Sequence, residues 1–147
     1  MDAIRHLLRE HEEIAKLFNQ YVDAGEEAYK QKKAIADKVI EAITRHARLE
    51  DEILFPAMKE KGGEEEEELA LEGMEEHDVT RYMLEKLRKT KPEDKKFNPR
   101  FKMLVESAKQ HFMEEELEIF PKAKKTLKGD LNRLGKEMEE LEKKMKK

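Results

Sequence analysis

Apolar residues recur at helical spacing in four successive segments of the chain. The segments run over residues 3–24, 35–54, 69–87 and 101–127. Glycine, proline or polar runs separate them at residues 25–33, 62–63 and 91–94. Each segment places apolar side chains three and four residues apart, which gives a helix one buried face. Four amphipathic helices with short links predict an all-α fold, an antiparallel up-down-up-down four-helix bundle.

A shorter apolar pattern follows Gly129. It consists of Leu131, Leu134, Met138, Leu141 and Met145. The pattern is either the seam of a two-heptad coiled coil or the buried face of a fifth helix that packs on the bundle. We therefore predict a bundle over residues 1–128 and a helical tail over residues 129–147. The protein is then expected to be a monomer or a dimer through the C-terminal helix.

Composition narrows the chemistry that the chain can perform. Of its 147 residues 45% are charged, the net charge is −4, and none is cysteine, which excludes disulfides and thiolate metal sites. The mild acidity provides no basic stripe for nucleic acid, and no apolar run approaches the roughly 18 residues that span a membrane. The first six residues lack the apolar core of a signal peptide, so we expect a cytoplasmic protein without nucleic-acid or membrane partners.

Four of the five histidines are predicted to share one level of the bundle. They are His11, His46, His77 and His111. The midpoint between each successive pair falls on or beside one of the three links. Residues equidistant from the turn of an antiparallel hairpin lie at the same height, because both helices rise by about 1.5 Å per residue. Each histidine also lies on an apolar stripe, so the four imidazoles should converge in the core.

An internal repeat adds two carboxylates to these histidines. Residues 46–56 and 111–121 both read H-x3-E-x4-F-P, which places Glu50 and Glu115 one helical turn from their histidines. Burying these groups without a metal would cost several kcal/mol. Four His and two Glu suit two metal ions linked by two bridging carboxylates. Mixed nitrogen and oxygen ligation favours iron, with manganese or zinc as alternatives.

Taken in order, these motifs resemble the hemerythrin-like family, the HHE cation-binding domains, over about residues 1–128. The resemblance implies a four-helix bundle around a non-haem di-iron centre. Glu50 and Glu115 would bridge the ions, with His11 and His46 on one iron and His77 and His111 on the other. The Glu-x2-His pairs of ferritin-like proteins and the His-Glu-x2-His of zinc proteases are absent.

Members of this family bind O2, sense O2 or NO, repair iron centres, process peroxide or regulate iron. We therefore expect a di-iron protein that binds, senses or reduces a small diatomic molecule or a peroxide, without assigning a catalytic residue. An alternative is an iron- or oxygen-responsive regulatory module without turnover, with the tail as its output surface. A third is a structural bundle that retains the pattern without chemistry.

The chain also departs from the oxygen-carrying hemerythrins, which have H-x3-H on the third helix and H-x4-D on the fourth. Here Gly73 stands four residues before His77, and Glu115 follows His111 in the H-x3-E register. One terminal histidine is therefore absent, which argues against a pure O2 carrier. Any further ligand would be water, a tyrosine or Glu118.

Three neighbours of the predicted site have two interpretations each. Glu118 is either an extra carboxylate near the metals or a solvated residue near a helix end. Arg81 either pairs with a bridging carboxylate or extends into solvent. His6, which lies about 140° from His11 around the first helix, is either a surface residue or a neighbour of the ligands.

Overall fold

The computed structural model describes residues 1–146, which form helices joined by short links, without a β-strand. The α-helices are α1 Ala3–Asp23, α2 Tyr29–Leu49, α3 Phe55–Lys61, α4 Glu64–Arg88, α5 Phe97–Glu114, α6 Phe120–Thr126 and α7 Leu131–Met145. Two π-helical turns, π1 at Glu50–Leu54 and π2 at Glu115–Ile119, join α2 to α3 and α5 to α6. The predicted helical bundle with an additional C-terminal helix is confirmed.

Four rods build the bundle: α1, the run α2–π1–α3, α4, and the run α5–π2–α6. Near the end of α1, Tyr21 stacks on Phe101 of α5 with 3.6 Å between the ring centroids. Tyr21 also donates a hydrogen bond to Asn98, and Lys32 at the start of α2 lies 3.4 Å from the same Asn98 oxygen. The end of α1 therefore meets the beginnings of α2 and α5, so α1 runs antiparallel to both.

Charged residues occupy the exposed faces and the first turns of these helices. At the start of α1, Asp2 Oδ1 accepts the Arg5 N–H at 2.9 Å. At the start of α4, Glu66 accepts the Gly63 N–H at 2.5 Å, and the acidic first turn complements the helix dipole. None of the helices within residues 1–146 combines the length and the apolar character needed to cross a membrane.

The π-helical turns stand directly before the two Phe-Pro pairs of the repeat. Proline lacks an N–H and clashes with the carbonyl four residues earlier, so an uninterrupted α-helix would be strained at Pro56 and Pro121. Instead the Phe55 N–H donates to the Glu50 carbonyl, five residues back. The second repeat forms the equivalent bond at its own π turn. The proline of each H-x3-E-x4-F-P motif is thus accommodated by a widened turn, which begins at Glu50 in the first motif and at Glu115 in the second.

Each widened turn changes which later residues face the core. Nine residues of regular α-helix turn through about 900°, which would direct Phe55 away from His46. The extra residue of the π turn rotates Phe55 inward, and its side chain is fully buried. The same rotation takes Glu118 off the face of His111, although seven residues of regular helix would align them. Glu118 is exposed, in agreement with its interpretation as a solvated residue.

Two apolar clusters fill the bundle on either side of the histidines. One includes Phe18, Val39, Leu84 and Phe101, and the other includes Leu7, Leu54, Phe55 and Phe120. Along α1, His11 lies between Leu7 of one cluster and Ile14 of the other. The histidines therefore occupy a polar layer enclosed by apolar side chains above and below.

Helix α7 packs its apolar seam against the second cluster. Leu134 and Met138 are buried, and Leu131, Leu141 and Met145 are partly buried on the same cluster. A Cβ at Gly135 would lie 2.1 Å from the Met1 carbonyl oxygen, so the glycine permits close approach to the start of the chain. The seam forms a fifth helix on the bundle. Dimerisation through this helix and a domain boundary at residues 128–129 stay predictions.

Candidate metal centre

The six residues singled out by the sequence lie together in the polar layer. They are His11, His46, Glu50, His77, His111 and Glu115. None of the six is more than 8% exposed, and Glu50 and Glu115 are fully buried. The cluster separates into two sets of four ligands, and both sets contain the two glutamates.

The first set, which we call the first subsite, is formed by His11 and His46 with one oxygen of each glutamate. Glu115 Oε1 lies 2.9 Å from His11 Nε2 and 3.3 Å from His46 Nε2. Glu50 Oε2 lies 3.3 Å from His46 Nε2. The four ligand atoms are within 4.8 Å of one another, close enough to surround one cation.

The second subsite is formed by His77 and His111 with the opposite oxygens. His77 Nε2 lies 3.0 Å from Glu50 Oε1. His111 Nε2 lies 3.5 Å from Glu115 Oε2 and 3.9 Å from Glu50 Oε1. Each glutamate therefore turns one oxygen toward each histidine pair, which is the arrangement that a bridging carboxylate requires.

Several of these atoms have no hydrogen-bond partner within residues 1–146. They are both oxygens of Glu50, Oε2 of Glu115, and Nε2 of His77 and His111. A buried polar atom without a partner costs about 1–3 kcal/mol. A divalent cation that accepts these lone pairs removes the cost, and imidazole nitrogen with carboxylate oxygen is a common donor set for such ions. The residues present therefore fit a metal.

A second layer of carboxylates holds the outer nitrogen of every imidazole. The Nδ1 partners are Glu116 for His11 at 2.8 Å, Glu10 for His46 at 2.8 Å, Asp51 for His77 at 2.7 Å and Glu76 for His111 at 2.5 Å. With Nδ1–H donated outward, the Nε2 lone pair of each ring points into the centre. We call these four the supporting carboxylates.

Sequence reasoning missed the supporting carboxylates, although the internal repeat carried a signal for them. We define the first repeat as residues 3–61 and the second as residues 64–126. In both repeats an acidic residue precedes the lone histidine and another follows the bridging glutamate; these are Glu10, Asp51, Glu76 and Glu116. A neighbour in sequence is rotated by about 100°, so it faces the next rod of the bundle. Each supporting carboxylate therefore holds a histidine of an adjacent rod.

The dense packing of charges shifts the pKa values of the centre. Burial lowers the pKa of His46, but the Glu50 charge and hydrogen bonds to carboxylates raise it well above its usual value. Burial also lowers the pKa of His77 and His111, but the carboxylates beside each ring outweigh it and raise the pKa of His77 to about 9 and that of His111 to about 11. Burial raises the pKa of Glu50, but the imidazole partners hold it well below its usual range. Without metal, protons on the imidazoles balance the buried carboxylates.

Aromatic rings cover the imidazoles on the apolar sides of the layer. Phe112 stacks on His11 with centroids 4.0 Å apart, and Phe55 stacks on His77 at 5.6 Å. A Cβ at Gly73 would lie 2.5 Å from Phe55 Cζ. Gly73, where oxygen carriers have a histidine, thus makes room for the Phe55 ring.

A cavity of about 290 Å³ between α4 and α5 lies beside His111. Its lining residues include Glu76, Thr80, Ser107, Gln110 and Glu114. His111 Nε2, which faces the bridging glutamates, is itself buried, so the cavity borders the second subsite.

His6 connects the first subsite to helix α7. Its Nε2 is hydrogen-bonded to Glu142 of α7 and lies 3.9 Å from Glu10 Oε2. The other oxygen of Glu10 holds His46. His6 is therefore a neighbour of the ligands rather than a surface residue, and a polar chain runs from α7 to an imidazole of the centre.

Two arginines pair with supporting carboxylates. Arg81 donates to Asp51 and to Asp78, and it does not reach a bridging glutamate. Arg45 Nε lies 3.7 Å from Glu10 Oε2. Both arginines pair with supporting carboxylates of the first repeat. This contact of Arg81 differs from both of its predicted interpretations, a pair with a bridging carboxylate and an extension into solvent.

The profile of one protein family matches the chain. It is described as the Hemerythrin HHE cation binding domain, and it matches residues 2–123 and, in a second and overlapping match, residues 74–147. The second match begins three residues before His77, the first ligand of the second repeat. No curated protein and no solved structure matches the chain.

Proposed function

Because the chain belongs to the family of hemerythrin HHE cation-binding domains, we propose that its buried centre holds two iron ions and acts on a small molecule. Such a centre binds, senses or reduces O2, NO or hydrogen peroxide. Glu50 and Glu115 bridge the ions, His11 and His46 hold one, and His77 and His111 hold the other. The observation that carries the proposal is that each buried glutamate directs one oxygen to each histidine pair.

The donor set supports iron, with manganese and zinc as the competing ions. Each subsite offers two imidazole nitrogens and two carboxylate oxygens, and the chain has no thiolate. Four protein ligands leave coordination positions free for a small molecule. Two ferrous ions in such a centre supply electrons and Lewis acidity to that molecule.

The surroundings of the centre support a small ligand. Phe55 and Phe112 cover the apolar sides of the centre, and the cavity beside His111 is large enough only for a solute of a few atoms. The histidine that oxygen carriers place one turn before His77 is replaced by Gly73. This replacement favours sensing or reduction over simple carriage of O2.

Reconstitution with Fe(II) under anaerobic conditions tests this function. We expect close to two irons per chain and an optical spectrum that changes on addition of O2, azide, peroxide or NO. Parallel loading with Mn(II) and Zn(II) ranks the ions. A stoichiometry at or below one iron per chain with full ferrous supply contradicts the dinuclear proposal, and a spectrum indifferent to all four reagents contradicts the small-molecule role.

The polar chain through His6 favours a second candidate, a regulatory module in which α7 reports the state of the centre. Glu142, His6 and Glu10 join α7 to His46, so a change at the ligand can alter the packing of α7. Hydrogen exchange of α7 amides with and without metal tests this candidate. His6→Ala should abolish the metal dependence of α7 exchange while leaving the metal content unchanged. Exchange of α7 that ignores metal in the unaltered chain contradicts the regulatory role.

A further inference from the structure

The exposed face of α4 carries an acidic patch near its beginning. Leu71 is 45% exposed at the centre of this patch. The side chains around it are Glu64, Glu67, Glu68, Glu72 and Glu75. We call these six residues the acidic ridge. Acidic side chains around an exposed apolar side chain suit a partner of opposite charge that also offers an apolar surface.

A groove of opposite character lies toward the other end of the same helix. It has a volume of about 680 Å³ between α4 and α5, with an apolar floor of Val79, Tyr82, Met83 and Met103. Its rim carries Lys86, Lys96 and Arg100. Val79, Tyr82 and Met103 are each more than half exposed. We call this feature the basic groove.

The acidic ridge and the basic groove share one face of α4. Leu71 and Tyr82 are eleven residues apart, which is three turns and only about 20° of additional rotation, and about 16 Å along the axis. A two-fold axis near residue 77 therefore sets the ridge of each copy against the groove of the other. We propose that a second copy of this chain docks here, with antiparallel α4 helices and Leu71 of each copy in the basic groove of its partner.

The opposite charges of the acidic ridge and the basic groove favour a second copy of this chain over an unrelated partner. A two-fold axis that brings Leu71 opposite Met83 also brings Glu68 opposite Lys86, because both pairs are equidistant from residue 77. Within residues 1–146, neither Glu68 nor Lys86 forms an ion pair, and Lys86 instead lies 5.9 Å from the Tyr82 ring. The chain thus presents both halves of a self-complementary contact.

Sedimentation of the 147-residue chain tests the dimer. We expect the unaltered chain to dimerise at micromolar concentration and to dissociate more readily at high salt, which screens surface charges. Glu68→Lys and Lys86→Glu should each raise the dissociation constant about tenfold or more, since each places like charges opposite one another twice. Leu71→Ala should weaken the dimer without affecting the fold. Lys16→Glu on the exposed face of α1 is the matched control and should leave the dimer unchanged.

Mixing the Glu68→Lys and Lys86→Glu chains gives the most discriminating test of the dimer. Each should be a monomer alone, but their equimolar mixture should form a heterodimer, because the reversed charge at position 68 of one copy meets the reversed charge at position 86 of the other. An unaltered chain that is monomeric at about 100 μM overturns the proposal. So does a dimer that tolerates both reversals, or a mixture that stays monomeric.

Discussion

The two repeats carry the same candidate metal ligands but support them differently. In the first repeat both supporting carboxylates are largely buried and paired with arginine. The Glu10 side chain is 8% exposed and lies 3.7 Å from Arg45, and the Asp51 side chain is 19% exposed and accepts a hydrogen bond from Arg81. These carboxylates are held on two sides, by an imidazole and by a guanidinium.

The second repeat supports its histidines from the surface. The Glu76 side chain is 38% exposed and that of Glu116 is 48% exposed. The residues that correspond by the repeat to Arg45 and Arg81 are Gln110 and Ala15, which carry no charge. Glu76 also lines the cavity that reaches His111, so water competes for its oxygens.

This difference teaches that the two repeats can support their histidines unequally while each proposed subsite still receives the same combination of supports. The carboxylates of the first repeat hold His46 and His77, and those of the second hold His11 and His111. Each subsite therefore combines one firmly held imidazole with one that is held from the surface. In the proposed centre the firmly held imidazole of each subsite would keep its ion in place, and the other would have room to adjust.

Removal of a bridge should have the largest effect and should be equal for the two repeats. Glu50→Ala and Glu115→Ala should each lose both irons, because each carboxylate serves both subsites. His11→Ala and His77→Ala are the matched controls and should each retain about one iron per chain. Metal analysis after gel filtration measures the outcome. If Glu50→Ala retains two irons while Glu115→Ala loses them, the repeats are not equivalent in their ligands and the bridging role of Glu50 is wrong.

Acidification should weaken metal binding steeply through imidazoles of both repeats. The raised pKa values of His46, His77 and His111 mean that these rings carry protons at pH 7 in the metal-free protein. Loading with metal should therefore release about three protons, and the affinity should fall by up to tenfold per displaced proton for each unit of decreasing pH. Calorimetry in two buffers of different ionisation enthalpy counts the protons. Release close to zero at pH 7 would show that the rings are neutral before metal binds.

Removal of metal should destabilise the bundle and loosen first the helices whose histidines are held from the surface. A metal at 1,000 times its dissociation constant contributes roughly 4 kcal/mol, so the metal-free protein should remain helical but melt about 10 °C lower. The amides around His111 in α5 should exchange faster than those around His46 in α2, where Glu10 remains buried beside Arg45. Equal exchange around the two histidines would contradict the difference in support, and equal melting points would contradict metal binding.

The pH dependence of the metal-free protein follows from the same histidines. The pKa of His77 is raised to about 9 in the folded state from a usual value near 6.5. Its contribution to stability is therefore fully present below pH 6.5 and is lost as the pH rises through about 9. Chemical denaturation at pH 6 and pH 10 should show the metal-free chain less stable at the higher pH. His77→Gln should reduce that difference.

The sequence predicted the parts of this molecule that depend on periodicity. The four stripes predicted the helices, and the symmetric spacing of His11, His46, His77 and His111 about the links predicted that they would meet. These features follow from the rise and rotation of a regular helix. The irregular part of the helices was not predicted: the π turns after Glu50 and Glu115 change the facing of the residues that follow them in each rod. The two Phe-Pro pairs were the available signal.

Contacts between rods were harder to predict. Glu10 and His46 are 36 residues apart and lie on different helices, so their pairing depends on the rotation of each rod about its axis. Hydrophobic spacing defines that rotation only broadly, because an apolar stripe is about 100° wide. The contacts of His6 with α7 depend in addition on where the tail docks. Nothing in the heptad pattern distinguished docking on the bundle from docking on a second chain.

Neutralising a supporting carboxylate should have an intermediate effect that differs between the repeats. Glu10→Gln and Asp51→Asn should lower metal affinity about 10- to 100-fold, because a metal-ligating imidazole loses a buried charged acceptor and an arginine is left without its partner. Glu76→Gln and Glu116→Gln are the matched changes in the second repeat and should cost less than about tenfold. Competition with a chelator measures all four. An equal loss of metal affinity in all four variants would mean that the burial of a supporting carboxylate and its pairing with arginine do not determine how much it contributes.

Substitutions that swap arginine and glutamine at positions 45 and 110 should have the smallest effect on metal affinity. They test directly whether pairing with arginine causes the difference between the repeats. Arg45→Gln gives the first repeat the residue that the second has, and Gln110→Arg gives the second repeat the residue that the first has. The Arg45 side chain is 23% exposed and its contact with Glu10 is 3.7 Å long, so we expect its loss to lower metal affinity only a few-fold, by about 0.5–1 kcal/mol. Gln110→Arg should raise affinity by a similar factor if Glu76 gains a guanidinium partner. High salt should shrink both changes, since the carboxylates concerned are not fully buried. Affinity that responds to neither exchange would assign the difference between the repeats to burial alone.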